Sequence, residues 1–332
     1  MRHDLHLVLG LGLALSLSAA ACGSDGGGGN DDGGDDGAPM PDGGFVDPPP
    51  PARGFQVISP DVTIMPGQEI TYCYYFRTPN TEELAIKKWS SAMTPGSHHM
   101  ILYTTQTERM PAGTVSSGGC SSFGVNNVPS WTYSAQTPTQ ELALPADDGA
   151  GKPLGQRIAA GTPAYLEMHY LNGSDSPLKA HVTLNAEAHE AGAVFTQTAP
   201  YVTYNTQISV GPGATNVVET QTCNVPANVK FWTMSTHAHK QAVKTAVKDG
   251  TAVAFSSTDW EHPGSATWLA TPFFTFASSK LTYECTYNNI GDNKMDTVVS
   301  GPSAEKNEMC MAVGYYFPAN KSLFCLNSFG PF

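Results

Sequence analysis

Ala164-Tyr-Leu-Glu-Met-His-Tyr170 represents the kind of segment that decides the fold of this chain, a short aromatic and apolar run bounded by turn residues. Comparable runs recur from residue 55 onwards, separated by Gly, Pro, Asn or Asp: 68–76, 179–185, 230–236, 280–287 and 309–317. Such runs are typical of β-strands. No window of 15 residues has a convincing helical period, although Glu82–Trp89 is compatible with one or two helical turns. We therefore predict an all-β chain with two consecutive antiparallel sandwiches.

Length and charge limit the domain organisation and the partners. At 332 residues the chain has room for two domains of ordinary size. The strand pattern is interrupted at Glu187-Ala-His-Glu-Ala-Gly192, which predicts domains over 54–190 and 191–332. A formal net charge of -12 argues against nucleic acid as a partner, because phosphate binding needs a basic surface.

The first 21 residues are typical of an export signal, with Arg2, a short apolar core and small residues before Cys22. A Cys in that place is typical of a bacterial lipobox, which predicts lipidation of Cys22 and a lipid anchor as the only membrane contact. Ala19 departs from the motif, so ordinary cleavage after Ala-x-Ala is the alternative. Gly23 and Ser24 after the cysteine favour the outer membrane over the inner one.

Residues 22–53 are Gly/Asp-rich and then Pro-rich, with seven Asp and no Lys or Arg between Cys22 and Pro51. Low hydrophobicity and repeated like charge prevent formation of a core. We predict a disordered linker between the lipidated residue and the folded part.

Histidines are grouped in a way that predicts metal binding: His98-His99, His169 and His237-Ala238-His239, with Met309 further on. Imidazole suits copper, zinc, iron and nickel, and a thioether favours Cu(I). A site of three His beside a site of two His and one Met therefore predicts two coppers.

Strand geometry bears on how these ligands are presented. His237 and His239, two residues apart on a strand, project from one face. Adjacent strand residues point to opposite faces, so His98 and His99 can share a metal only at a bulge or a strand end, which Pro95-Gly96-Ser97 permits. Taken singly, each of the two histidine pairs is also compatible with surface histidines. His169 alone is compatible with a core residue, and Met309 alone with a side chain that fills space in the core.

In its order of motifs the chain resembles the copper type II, ascorbate-dependent monooxygenases, the family of peptidylglycine alpha-hydroxylating monooxygenase and dopamine beta-hydroxylase. The resemblance spans roughly residues 55–332, and it matches all six ligand positions: His98, His99, His169, His237, His239 and Met309. It implies two jelly-roll domains whose copper sites face an interdomain cleft. His181, His189 and His262 match no ligand position and are interpreted as structural or surface residues.

The cysteines allow an independent check of the division into two halves. Without Cys22 six remain, an even number in an oxidising compartment, and spacing alone leaves 15 possible connectivities. The resemblance implies three bonds, each within one half of the chain: Cys73–Cys120, Cys223–Cys325 and Cys285–Cys310. The absence of Cys-x-x-Cys argues against the alternative of thiolate metal sites.

By resemblance, the catalytic copper is held by His237, His239 and Met309, and the copper of the three-His site delivers an electron. The function implied is an exported, monomeric dicopper monooxygenase that hydroxylates a small organic substrate with dioxygen and a reductant such as ascorbate. The alternatives are a non-catalytic copper-binding or copper-delivery lipoprotein of the same fold, and a plain jelly-roll binding module.

The substrate is the least determined part of the resemblance. Peptide-amidating members carry an Arg two residues before the His-x-His pair, where this chain has Ser235, so the carboxylate clamp for a peptide is missing. Met311 and Val313 likewise stand at or near substrate positions of those members. Glu167 replaces a family Gln and is interpreted either as an orienting partner of His169 or as a solvated strand residue.

Overall fold

The computed structural model describes residues 45–117, 120 and 129–330. The predicted export signal, the lipidated Cys22 and most of the predicted linker lie outside the described residues. Strands provide all of the regular secondary structure in the described part, and no helix there is long and apolar enough to cross a membrane.

Strands are numbered in chain order, and the first twelve belong to the N-terminal half: β1 (Gly54–Ile58), β2 (Val62–Ile64), β3 (Glu69–Arg77), β4 (Leu84–Met93), β5 (Ser97–Thr104), β6 (Val115–Ser117), β7 (Ser130–Ala135), β8 (Thr139–Ala143), β9 (Leu154–Ile158), β10 (Pro163–Leu171), β11 (Leu178–Ala180) and β12 (Val182–Ala188). The C-terminal half contributes β13 (Thr196–Gln197), β14 (Ala199–Tyr204), β15 (Ser209–Val210), β16 (Val217–Asn224), β17 (Lys230–Ala238), β18 (Ala242–Asp249), β19 (Ala252–Ser257), β20 (Ala266–Thr267), β21 (Lys280–Tyr287), β22 (Val298–Val299), β23 (Cys310–Phe317) and β24 (Leu323–Leu326).

In the N-terminal half, a six-stranded sheet, whose last strand is β13 from the C-terminal half, packs against a five-stranded one. The first has the order β1-β12-β4-β9-β13, with β8 beside β4, and the second, called sheet N here, has the order β6-β3-β10-β5-β7. Apolar side chains of both sheets form one core, for example Ile86 and Trp89 of β4 with Leu166 and Met168 of β10. The sandwich follows from alternation, because every second residue of a strand faces this core.

The C-terminal half is likewise formed by two sheets packed against each other. A five-stranded sheet, called sheet C here, has the order β20-β17-β23-β14-β24, and it packs against the sheet β16-β21-β18-β19. Phe231 and Tyr316 of sheet C share a core with Tyr283 and Tyr287 of β21. The all-β fold of the sandwich type is therefore confirmed. The two cores draw on 55–188 and on 199–325 respectively, while the domain boundary at 190/191 stays a prediction.

Five of the six segments predicted as strands each correspond to one strand, whereas the predicted strand 179–185 is divided at His181 between β11 and β12. The helical interpretation of Glu82–Trp89 is wrong. Leu84–Met93 forms β4, and its pairing with β12 slips by one residue between the Lys88 and Ile86 positions. This bulge adds one residue between two buried side chains, Ile86 and Trp89. Their spacing of three, which resembles a helical period, is a consequence of the bulge.

All three predicted disulfides are present: Cys73–Cys120, Cys223–Cys325 and Cys285–Cys310. Each bond lies within one half of the chain. In the loop-entropy description, closing loops of 47, 102 and 25 residues contributes about 3.5–5 kcal/mol per bond.

Candidate metal centre

A bulge at His98 brings the first histidine group together. On β10, His169 pairs with His99 of β5, but the next residue, Tyr170, pairs with Ser97, so His98 is the extra residue. Gly96 just before it has a φ of +85°, which a residue with a side chain rarely adopts. The irregularity predicted after Pro95 is therefore confirmed, and it lets two adjacent histidines turn to the same side.

The distances between these imidazoles match those of a metal site. His169 Nδ1 lies 3.4 Å from His98 Nδ1 and 3.2 Å from His99 Nε2. Metal–nitrogen bonds of about 2 Å at tetrahedral angles place ligand nitrogens about 3.3 Å apart. The ligand atoms of the three residues all lie within 4.8 Å of one another. The three-His cluster could therefore hold one metal ion without rearrangement of the backbone.

Glu69 fixes the orientation of His169. Its Oε1 accepts a hydrogen bond of 3.0 Å from His169 Nε2, which leaves Nδ1 directed at the other two rings. The same carboxylate accepts hydrogen bonds from the backbone N–H of Ala304 at 3.0 Å and from Ser303 Oγ at 3.1 Å. The hydrogen bond from His169 is the largest cause that lowers the pKa of Glu69 to about 2. Orientation by a carboxylate is common among metal-binding histidines.

The second histidine pair lies at the end of β17 in sheet C. The ring centroids of His237 and His239 are 5.3 Å apart, as expected for residues that project from one face. His239 Nδ1 lies 3.0 Å from the backbone oxygen of Asn307, which can only accept, so Nδ1 carries the proton. His237 Nδ1 lies 2.9 Å from Gln136 Oε1. Each ring thus keeps Nε2 available for a metal.

The side chains of Met309 and Cys310 point to opposite faces, as predicted. Met309 lines the same cavity as His237 and His239, while the neighbouring Cys310 turns to the core and bonds Cys285. The preceding Glu308 is fully buried and accepts the backbone N–H groups of His239 at 3.0 Å and Gln241 at 2.7 Å. Glu308 therefore ties the Met309 segment to the end of β17.

The two ligand groups meet across one cavity of about 730 Å³ between sheet N and sheet C. His99 and His169 line it from sheet N, and His237, His239 and Met309 line it from sheet C. The ring centroids of His99 and His237 are 5.5 Å apart. Gln136 accepts a hydrogen bond from His237, and Glu69 accepts one from Ala304, and both bonds connect the two halves at the same place. Five of the six predicted ligands thus line one cavity, and His98 lies beside it against His169.

Burial keeps four of the clustered imidazoles neutral. It lowers the pKa of His98 and of His239 to about 4, and it lowers the pKa of His99 and of His237 well below the usual range for histidine. Only a neutral imidazole has a lone pair for a metal, so few protons need to be displaced on binding. The donor set of five imidazole nitrogens and one thioether fits copper, for which imidazole and Met are both suitable ligands.

Several residues of the centre were not recognised in the sequence. Glu69, Gln136 and Glu308 act on the histidines from positions 69 to 101 residues away, and no local pattern marks them. Trp260 lies against His98, with ring centroids 5.9 Å apart, and His262 lines the cavity although it is exposed. The interpretation of His262 as a surface residue was therefore incomplete.

The position of Glu167 agrees with one expectation and contradicts another. It lines the cavity on the same side as His169, as predicted. However, the partner of His169 is Glu69, so Glu167 is not its orienting residue. Glu167 is also not a solvated strand residue, because burial raises its pKa to about 7.

Comparisons with known proteins do not place the chain in a family. No protein-family model and no curated protein matches it. Among solved structures, it has 7% identity and a TM-score of 0.21 with the PBSX exported protein XepA, over 82% of this chain and 90% of that one. With a triple jelly roll structure from an archaeal virus it has 8% identity and a TM-score of 0.18, over 83% and 62%. Scores this low bear on neither fold nor function.

Proposed function

We propose that this protein is a dicopper monooxygenase of the copper type II, ascorbate-dependent kind, which hydroxylates a C–H bond of a small organic substrate. The observation that carries the proposal is the convergence of ligands from both halves on one cavity: five of the six line it, and His98 lies against His169 beside it. In this proposal the halves are two jelly-roll domains, and the cavity is the cleft between them.

In the proposed assignment, His98, His99 and His169 hold one copper, and His237, His239 and Met309 hold the other. Bound copper would supply one-electron redox chemistry and the activation of dioxygen. The net reaction uses one dioxygen, one substrate C–H bond, two electrons from ascorbate and two protons, and it yields a C–OH group and one water.

The protein's own part in such a reaction is positioning. Glu69 and Gln136 hold the imidazoles in fixed tautomers, so that the ligand nitrogens face the cavity before a metal arrives. Four of the ligands lie on strands β5, β10 and β17, and His239 and Met309 directly adjoin the ends of β17 and β23, which holds them close to rigid elements. Trp260 covers His98 and limits the access of water from that side.

The substrate is proposed to be something other than a glycine-extended peptide. Ser235 lines the cavity and donates its hydroxyl to the backbone oxygen of Gly264. None of the described residues that line the cavity is Lys or Arg. A peptide carboxylate would therefore lack the bidentate partner that usually binds it. Export through the leader and attachment through Cys22 remain part of the proposal.

Copper content tests the proposal directly. Protein purified after growth with copper should contain two coppers per chain, and His237→Ala or Met309→Ile should weaken one site and leave the other. A copper-delivery protein would contain one copper, and a plain binding module none. X-ray absorption of the reduced form should detect sulfur that disappears in Met309→Ile, and ascorbate should drive oxygen uptake in the wild type. Simultaneous loss of both coppers in a folded single-site variant would contradict the two-site assignment.

A further inference from the structure

The first described residues lie against the outer face of the N-terminal sandwich, away from the metal centre. Residues 45–51, called the docked segment here, are bound there by side chains of two strands. Gln56 Nε2 of β1 donates a hydrogen bond of 2.7 Å to the backbone oxygen of Pro48, and Asn185 Nδ2 of β12 donates one of 3.0 Å to that of Pro49. The fold thus holds this segment in place, whereas the sequence predicted a disordered linker up to residue 53.

His181 binds the start of the docked segment through both of its ring nitrogens. Its Nε2 lies 3.1 Å from Asp47 Oδ1, and its Nδ1 lies 3.0 Å from Asp61 Oδ1. The hydroxyl of Thr183 also donates to Asp47, and the ring of Phe45 packs edge-on against the imidazole with centroids 5.1 Å apart. The His181 side chain is only 18% exposed, so these contacts are partly shielded from water.

The arrangement of two carboxylates requires a protonated ring. A carboxylate only accepts hydrogen bonds, and a neutral imidazole donates from one nitrogen and carries a lone pair on the other. An imidazolium ring can donate to Asp47 and Asp61 at the same time, whereas a neutral ring directs its lone pair at one of them. Hydrogen bonds from Thr183 and from His181 lower the pKa of Asp47, so this carboxylate stays ionised where histidines titrate.

Asp47 and Asp61 are the charged side chains that contact the His181 ring in the described part of the chain. Thr94 is uncharged and fixes the backbone of His181: its hydroxyl donates to the backbone oxygen at 3.1 Å and accepts the backbone N–H at 2.9 Å. Tyr170, which Asp61 influences, stays neutral because burial raises the pKa of its phenol. The charge of the His181 ring is therefore the variable that decides whether both contacts persist.

We propose that His181 is a proton-operated switch that holds the docked segment on the N-terminal sandwich and releases it when the ring loses its proton. This inference goes beyond the proposed function and does not rest on it. Arg53 stays fixed after release, because its Nε–H donates to the backbone oxygen of His189 at 2.7 Å and its own oxygen accepts the N–H of Ala188 at 3.0 Å. Release of residues 45–51 therefore lengthens the connection to Cys22 by up to about 25 Å.

A spin label at residue 46 reports release of the segment. Val46 is 83% exposed, so Val46→Cys can carry a nitroxide without disturbing the contacts, and Cys22→Ser removes the cysteine outside the three disulfides. Electron paramagnetic resonance of the metal-free full chain should show a mainly immobile label at pH 5. The ratio of mobile to immobile label should rise about tenfold to a hundredfold by pH 9, because a charge-assisted hydrogen bond is lost.

The rise in label mobility should follow the titration of the His181 ring protons, measured by nuclear magnetic resonance on the same protein. A ratio of mobile to immobile label that is the same at pH 5 and pH 9 would overturn the proposal, whether the label is immobile or mobile throughout.

Two substitutions assign the switch to this contact. His181→Gln should make label mobility equal at pH 5 and pH 9, because an amide does not titrate in this range. Asp61→Asn should keep most of the label immobile at pH 9, because the new amide can donate to the lone pair of the neutral ring. Asp175→Asn is the matched control, an exposed aspartate of the same half outside these contacts, and it should retain the wild-type pH dependence.

A pH dependence that survives His181→Gln, or a segment that is still released at pH 9 in Asp61→Asn, would refute the role of His181. Near-ultraviolet circular dichroism checks that each variant is folded. Because the measurements use the metal-free chain, their outcome is independent of the dicopper assignment.

Discussion

Replacing Glu69 by Gln should both destabilise the fold and weaken the three-His cluster. The Glu69 carboxylate accepts hydrogen bonds from His169 Nε2 at 3.0 Å, Ala304 N–H at 3.0 Å and Ser303 Oγ at 3.1 Å. A Gln side chain keeps one oxygen, but its amide NH₂ group must then face a donor. The substitution therefore removes the charge and at least one acceptor at the contact between the two halves.

The magnitude follows from the pKa of Glu69, which the fold lowers from 4.5 to about 2. A shift of this size corresponds to about 3 kcal/mol of stability at pH 7, and the Glu69 side chain is only 20% exposed, so solvent screening removes little of it. Because the folded pKa is the lower one, the stabilisation is complete above the unfolded pKa of 4.5 and is lost as the pH falls towards 2. About 1.4 kcal/mol should remain at pH 3.

Urea unfolding of the metal-free full chain measures this difference. Glu69→Gln should lower the free energy of unfolding by about 2–3 kcal/mol at pH 7, and the gap to wild type should shrink by about half at pH 3. Glu82→Gln is the control, since Glu82 is 61% exposed in its ion pair with Arg53 and should change stability by less than about 0.5 kcal/mol.

Metal affinity gives a second readout for Glu69→Gln. Loss of an orienting partner typically weakens a metal site by about tenfold to a hundredfold, and the three-His cluster should be affected more than the His237 site. A loss of stability below about 0.5 kcal/mol at pH 7, or a loss that is independent of pH, would refute the reasoning.

Three further outcomes are expected. Gln136→Leu removes the acceptor at 2.9 Å from His237 Nδ1. Competition with a chelator should therefore show that copper at the His237 site is bound about tenfold to a hundredfold more weakly. Equal weakening of both copper sites would contradict this expectation. Burial lowers the pKa of His98 to about 4, so protons should compete for its lone pair only near that pH. Equilibrium dialysis should therefore find that copper at the His98 site is retained from neutral pH to about pH 5. A loss of copper centred on pH 6.5 would show that the His98 ring is solvated. Changing Cys223 and Cys325 together to Ser opens a loop of 102 residues and should cost roughly 4–5 kcal/mol in chemical unfolding, whereas a cost under about 1 kcal/mol would indicate that the unfolded chain is not constrained by this bond.

The fold class could be predicted because strand formation here is mostly a local property. Runs such as Lys280–Tyr287 carry β-branched and aromatic residues and are separated by turn residues, and this segment is a strand with the predicted bounds. The failure at Glu82–Trp89 has a local cause of a different kind. A bulge changes the spacing of buried residues, and it forms only in the pairing of β4 with β12, which lies almost 100 residues further along the chain.

The sequence by itself was enough to propose the metal ligands, because ligand chemistry is carried by residue type and by short motifs such as His98-His99 and His237-Ala238-His239. Only the tertiary structure decided which groups act on those ligands. Glu69 orients His169 and Gln136 orients His237, and each pair is formed by strands that meet in space but not in sequence. The same holds for Glu167, which the fold half-buries on the cavity side, so that burial raises its pKa to about 7. Desolvation and pairing depend on what surrounds a group on all sides, and a linear sequence does not specify that environment.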